Sequence, residues 1–402
     1  MRLAHLTLPL LLLGGCTFHS SDDTKDQASA SSDAAVNAPA AREALAAHDP
    51  ATGAVVAQDI PDSAARPVMQ AQVVLDRLGF TPGVVDGKEG LSTRNAVSGF
   101  QEANGLTATG QLDEATLKAL SQWNNIPATR VVTIPDEFAA GPFYAVPKDP
   151  ADQAKLPALT YETLDEKLAE RFHTTIATLQ GLNPGGMPAG MKPVPGATAS
   201  APPEAIPSAS ASPITGPVPG PASIFHAGQQ IRVPNIGGDA IVAGAVADAV
   251  WLNTLETLGV GTGQPKAAKI VVSKSKGTLK AYDQGGKLVA VYTATMGSTH
   301  DPLPLGEWKI QGISHNPPFH YNPALFWNAK PGSEKALLPA GPNGPVGVVW
   351  IDLSKPHYGI HGTPHPETIG RAESHGCVRL TNWDVARLAQ MVSTKTQVLF
   401  EG

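Results

Sequence analysis

The chain has 402 residues, enough for two or three domains, and 42% of them are hydrophobic, which suffices for ordinary cores. Its formal net charge of −6, with no long run of either sign, excludes the basic footprint of a nucleic-acid binder. Aromatic residues make up only 5%, while 40 glycines and 37 prolines point to linkers and turn-rich β structure instead of helical bundles.

At the N-terminus, Met1-Arg2 precedes an apolar run from Leu3 to Leu13 that ends in Gly14-Gly15-Cys16. Such a run reads as an export signal, too short to span a bilayer as a helix. Its ending in Gly-Gly-Cys resembles the lipobox of bacterial lipoproteins. That resemblance implies cleavage before Cys16, a diacylglycerol on its sulfur and anchorage of the mature chain to a membrane. The alternative is a plain secretory signal with an incidental cysteine. Residue 17 is threonine, not the aspartate that retains some lipoproteins at the inner membrane. The expected location is therefore the cell envelope, facing the periplasm, with the outer membrane as destination where one exists. Residues 17–65 are Ser, Ala, Asp and Gln with almost no aromatics, a composition that cannot bury enough surface to fold and reads as a tether.

Order is expected from residue 66 to 122. Val68 to Gly79 places Met69, Val73, Leu75 and Leu78 on one helical face, and Gly79 suits a C-terminal cap. A second helix should start near Ser92 or Thr93, carry Ala96, Val97 and Phe100, and stop at Asn104-Gly105. A third should run from an Asp113 cap through Leu120. The spacings Leu75-x2-Leu78-Gly79-Phe80, Asp86-Gly87, Thr93-x2-Ala96-Val97-x2-Phe100-Gln101 and Thr109-Gly110-x-Leu112-Asp113 resemble the three-helix peptidoglycan-binding domain. The resemblance implies binding to glycan strands or stem peptides.

Residues 121–155 carry scattered prolines and no clear period. Two short helices fit Thr163 to Phe172 and Ile176 to Leu179, closed by Asn183-Pro184, and a short strand fits Ile231-Arg232-Val233. Together, over 156–236, these resemble a LysM module of α+β type, interrupted by a Pro/Ala-rich insertion at 185–224 and with its first strand unplaced. An insertion of this kind is low-complexity and solvated, and its closure entropy grows only logarithmically with length.

From residue 266 to 401 the pattern changes to short strands: Ile270–Ser273, Thr278–Tyr282, Leu288–Tyr292, Trp308–Ile313, Val346–Ile351 and Val398–Phe400, with turn signals between them. One helix fits Trp383 to Val392, with Asn382 as its N-cap and Val385, Leu388 and Val392 facing inward. The expected domain is mostly β.

This domain holds Gly359-Ile360-His361-Gly362 and Ser374-His375-Gly376-Cys377-Val378-Arg379-Leu380. With Cys16 accounted for otherwise, Cys377 has no intramolecular disulfide partner, and a lone thiol in an exported protein calls for a chemical reason. A cysteine acyl-transferase needs a base to generate its thiolate, N–H groups aimed at the oxyanion, and a group fixing the base's tautomer. His361 can be the base, the Gly362 carbonyl can orient it, and the tight turn at Gly376 can aim N–H groups around Cys377. Arg379 shares a strand face with Cys377 and can meet a substrate carboxylate, or else forms a structural ion pair. His361, His365, His375 and Cys377 offer four zinc ligands; Pro364 and Pro366 oppose the helix that would bring the first two together, which leaves a loop-borne zinc site as the alternative.

These residues resemble the active site of the L,D-transpeptidase (YkuD-type) family, as does the upstream segment Val272-Ser273-Lys274 with Leu279-Lys280-Ala281-Tyr282. The resemblance implies a β-sandwich-like catalytic domain; no cofactor and no metal are expected. It implies Cys377 as nucleophile, His361 as general base and then acid, His375 and Gly376 in the oxyanion-hole loop, and Ser374 and Arg379 toward substrate. The implied reaction is a thioester to the third residue of a peptidoglycan tetrapeptide, with loss of D-alanine, then transfer to an amine on another stem or on an envelope protein. Resolution by water would make a carboxypeptidase or endopeptidase instead, and a dead site would leave a wall-binding scaffold. Where family members usually read Thr-Pro-x-Gly, this chain has Leu303-Pro304-Leu305-Gly306. Residues 314–345, with Trp327, are expected to form a loop over the site.

Overall fold

Three helices open the ordered chain: α1 (Pro67–Arg77), α2 (Leu91–Ala103) and α3 (Glu114–Leu120). The computed structural model describes residues 60–191, 216–237, 240–327 and 329–402. The export signal, Cys16, nearly all of the tether and most of the Pro/Ala-rich insertion lie outside them. Among the described residues no helix is long and apolar enough to cross a membrane.

Local chemistry sets the helix ends. Gly79 follows α1 at φ +87°, a left-handed position that glycine tolerates, and the Asp113 carboxylate accepts from the Thr116 N–H to cap α3. Met69, Val73, Leu75, Ala96, Val97 and Phe100 close the core between the helices, as their spacing predicts. Residues 60–65, expected to belong to the tether, are docked instead. Arg232 donates to the Ile60 carbonyl at 2.8 Å, and the Thr129 hydroxyl donates to Asp62 at 2.8 Å.

The strand missing from the second module is β1 (Thr129–Thr133), which pairs antiparallel with β2 (Gln230–Pro234). Between them run single helical turns at Asp136–Ala139 and Pro150–Gln153, then α4 (Leu164–Arg171) and α5 (Ile176–Leu182). Thr163 and Thr175 cap α4 and α5 by accepting from N–H groups of the first turn. Leu164, Leu168, Phe172 and Leu179 pack with Ile231 and Val233, giving a βααβ unit with its own core.

Ahead of the third module's strands runs α6 (Ala249–Leu258). Its Trp251, Leu255 and Leu258 enter the same core as the strands that follow. Those strands are β3 (Lys269–Ser273), β4 (Thr278–Tyr282), β5 (Leu288–Thr293), β6 (Thr295–Met296), β7 (Gly306–His315), β8 (Phe319–Tyr321), β9 (Ala336–Leu338), β10 (Val349–Leu353), β11 (Gly359–His361), β12 (Val378–Arg379) and β13 (Gln397–Glu401). Nine of them form one sheet in the order β5-β4-β3-β13-β7-β10-β11-β12-β6, while β8 and β9 pair apart. The helix α7 (Asn382–Met391) packs its Val385, Ala386 and Leu388 into the sheet's core. Two expectations need correction. The strand placed at Val346–Ile351 runs from Val349 to Leu353, since Val346 and Gly347 belong to the turn before it. The N-cap of α7 is Thr381, whose hydroxyl accepts from the Asp384 N–H, which leaves the Asn382 side chain free for another task.

The helical module lies on the edge strand β5. The Thr81 N–H donates to the Val291 carbonyl at 2.9 Å and the Val291 N–H to the Gly79 carbonyl at 3.0 Å, so the loop after α1 covers that edge. Gly99 of α2 sits directly on Val291: a Cβ there would lie 2.6 Å from the valine Cγ2. A second joint is polar and buried. Asp76 of α1 accepts from both terminal nitrogens of Arg387 on α7, at 2.9 and 3.0 Å, and its carboxylate also faces His173 Nδ1 at 3.3 Å. His173 donates from Nε2 to the Leu258 carbonyl at 3.0 Å and stacks on Trp383 at 5.0 Å. One carboxylate thus ties together the helical module, the βααβ unit and α7.

Candidate active site

Strand register brings the predicted residues together. In β10 and β11, Trp350 pairs with His361; in β11 and β12, His361 pairs with Arg379; in β12 and β6, Arg379 pairs with Thr295. Paired residues point to the same face of a sheet, so these four form one row across it. Cys377 precedes Arg379 by two residues and falls on that face, one pleat away. Residues eighteen apart in sequence, Ile360 with Val378 and His361 with Arg379, become partners on adjacent parallel strands.

His361 is 4% exposed, and its Nδ1–H donates to the Gly362 carbonyl at 2.7 Å. That bond fixes the tautomer with Nε2 unprotonated and able to take a proton. Burial and the Arg379 guanidinium push its pKa down to about 3, against the Gly362 bond, so the imidazole is neutral near pH 7. The Cys377 thiol is raised by burial, opposed by a backbone N–H from Gly359 and by the Arg379 charge. At rest the two groups are therefore a thiol and a neutral imidazole. Alkylation of Cys377 by iodoacetamide should then follow a titration midpoint above the ~8.5 of an ordinary cysteine. A midpoint below that value would mean a preformed thiolate and contradict this charge state.

The loop before Cys377 is held by Ser374, which is 2% exposed. Its hydroxyl donates to the Cys377 carbonyl at 2.7 Å and accepts from the Gly297 N–H at 2.6 Å. Ser374, expected toward substrate, is instead buried, and its two bonds brace the loop that carries Cys377. Gly376 has φ +97°, and a Cβ there would lie 2.5 Å from the Tyr358 ring, so the tight turn depends on glycine. Arg379 is half-buried and stands near enough to Cys377, His361 and His375 to influence all three. His375 is half-buried and borders an aromatic wall from the 314–345 segment, with the Phe326 ring at 5.0 Å and the Trp327 ring at 5.9 Å. The expected loop is therefore at the site. Leu303, in place of the usual threonine, is buried in the core.

Trp350 at the site escapes the sequence pattern, while Tyr358 and Asn382 belong to the motif without a role assigned to them there. The Trp350 ring stacks on His361 at 5.5 Å and leans over Gly359, where a Cβ would lie 2.5 Å from the indole. Its signal is the alternation in Val349-Trp350-Ile351-Asp352-Leu353, which turns the tryptophan away from the core. Tyr358 packs on Gly376 beside the thiol. Asn382 lies behind His361, and its Oδ1 would be 2.2 Å from a Cβ on Gly362. His365 is exposed and paired loosely with Glu367 at 3.8 Å. Among the described residues no group of three or more His, Cys, Asp or Glu side chains could hold a metal ion.

The family model "L,D-transpeptidase catalytic domain" (YkuD) matches residues 267–399, and "Putative peptidoglycan binding domain" matches residues 65–120. A relative from Bacillus licheniformis, "Putative L,D-transpeptidase YkuD", is 36% identical over 130 residues, 32% of this chain and 63% of that protein. From Bacillus subtilis, "Putative L,D-transpeptidase YqjB" is 31% identical over 135 residues, 32% of this chain and 69% of that protein. The chain thus spans just under two thirds of the B. licheniformis relative. Among solved structures, L,D-transpeptidase 3 from Mycobacterium tuberculosis with a faropenem-derived adduct aligns at 18% identity and a TM-score of 0.29, covering 34% of this chain and 60% of that one.

Proposed function

The chain belongs to the YkuD-type L,D-transpeptidase family, and on that footing we propose that it is a cell-wall L,D-transpeptidase acting through a thioester on Cys377. The observation that carries this reading is the shared face of Cys377, His361 and Arg379, with His361 held in the tautomer of a base by Gly362. In the first half-reaction His361 Nε2 takes the thiol proton as the sulfur attacks the carbonyl of the third stem residue. The tetrahedral oxyanion is held by N–H groups of the His375–Cys377 turn. The C–N bond to the terminal D-alanine then breaks, and the imidazolium returns the proton to the departing amine. In the second half-reaction an acceptor amine gives a proton to His361, attacks the thioester carbonyl and expels the thiolate, which is reprotonated. Arg379 is placed to meet a substrate carboxylate, and the Phe326–Trp327 wall shields the thioester from water.

The helical module supplies binding to glycan strands or stems, and we read the βααβ unit as LysM-like, with the same wall polymer as partner. The export signal and Cys16 supply a lipid anchor, which puts the chain in the envelope facing the periplasm, at the outer membrane where one exists. Transfer of the acyl group to an envelope protein is a second outcome of the same thioester. The test is intact-protein mass spectrometry of the chain from residue 17 onward, mixed with disaccharide-tetrapeptide. The expected adduct has the mass of the substrate less one D-alanine and maps to Cys377. Unmodified protein, with substrate unchanged, contradicts the reading.

A further inference from the structure

The catalytic base is braced from outside its own domain. The Asn382 amide occupies the first turn of α7 and is fully buried. Its Oδ1 accepts from the Val348 N–H at 3.3 Å, and its Nδ2 donates to the Pro342 carbonyl at 3.1 Å and to Glu170 Oε1 at 2.9 Å. The same Oδ1 packs against Gly362, where even a methyl group would collide. Gly362 is the residue whose carbonyl accepts from His361. Glu170 belongs to α4 of the βααβ unit, is 5% exposed, and accepts the Tyr161 hydroxyl on its other oxygen at 2.9 Å. A continuous line of contacts therefore runs Tyr161, Glu170, Asn382, Gly362, His361, from the accessory unit to the base.

We propose that Glu170 is a positioning residue for the reaction: by holding Asn382 it seats the Gly362 carbonyl, and so fixes the ring and tautomer of His361. The proposal rests on the reading of His361 as base, and deepens it by giving the βααβ unit a part in catalysis separate from any binding to the wall. A buried donor on Asn382 left unpaired would turn or admit water, and the glycine packed on it would follow. Burial and the neighbouring Glu166 push the Glu170 carboxyl up to about 8, so glutamine is a close substitute at neutral pH.

The test uses the full chain and needs no substrate. Iodoacetamide alkylation is followed across pH at the tryptic peptide carrying Cys377, which keeps Cys16 out of the readout. His361→Ala sets the reference for a thiol without its base. In Glu170→Ala the rate constant near pH 7 should fall about tenfold, and the pH midpoint should move toward that of His361→Ala. Glu170→Gln should stay within about twofold of the parent, and Asn382→Ala combined with Glu170→Ala should be no slower than either alone, since members of one network are not additive. A Glu170→Ala chain that melts earlier yet keeps the parent pH profile overturns the proposal and leaves Glu170 a structural tie only. If His361→Ala itself leaves the profile unchanged, the role of His361 as base fails first, which separates the two claims.

Discussion

Replacing Cys377 with alanine should reduce acyl transfer by on the order of 10⁴-fold or more, the scale on which covalent mechanisms collapse without their nucleophile. The loss should fall on turnover, with binding of the stem retained, because Arg379 and the aromatic wall of Phe326 and Trp327 do not depend on the sulfur. Folding should be nearly unaffected: Cys377 is half-buried and its main side-chain contact, with the His357 carbonyl, is long at 3.7 Å. The check is release of D-alanine by the parent and variant chains at equal concentration, with thermal melting in parallel. Variant activity within tenfold of the parent would point to another nucleophile.

Asp76→Ala should be strongly destabilising, costing about 3–5 kcal/mol, because it removes the carboxylate that accepts from both terminal nitrogens of the buried Arg387 guanidinium. Arg387 is 4% exposed and Asp76 1% exposed, so water cannot replace the missing charge cheaply. The double change Asp76→Leu with Arg387→Met should recover much of that loss, since a buried pair replaced as a whole by apolar groups is often close to neutral. The pH dependence has a defined sign. Burial alone would raise the Asp76 carboxyl, but Arg387 and His173 hold it well below the usual carboxylate range. A depressed folded value gives stability that is complete above the unfolded pKa of about 3.9 and is lost as the pH falls below it. Chemical denaturation at pH 7 and at pH 3 tests both points. An Asp76→Ala chain as stable as the parent at pH 7 would contradict the role given to this joint.

The proposed catalytic pair is legible because its chemistry is local: a lone cysteine, a glycine before it and a histidine sixteen residues upstream carry the requirement in their own types and spacing. The three helices of the first module were legible for the same reason, through glycine caps, Asp113 and one apolar face. Helix α6 carries comparable signals, with Trp251, Leu255 and Leu258 at i, i+4 and i+7, an Asp248 cap and Gly259 at φ +64°, but its place in the catalytic core depends on strands that follow it. Strand β1 was hidden because Thr129-Arg130-Val131-Val132-Thr133 shows little alternation and its partner lies about a hundred residues on. Asn382 reads as a cap by residue type, yet Thr381 takes that role and frees the amide for Glu170. No local pattern announces a contact between residues 212 positions apart. Such ties come from how modules pack, and they decide how firmly the base is held.

The reading turns on whether the thioester passes to an amine. Disaccharide-tetrapeptide incubated with the chain from residue 17 onward, beside its Cys377→Ala variant, and resolved by mass spectrometry tests this directly. The account predicts cross-linked dimers that have lost one D-alanine, formed by the parent and absent with the variant. Tripeptide as the sole product, with no dimer at any substrate concentration, would contradict transfer and make the protein a hydrolase working through the same cysteine.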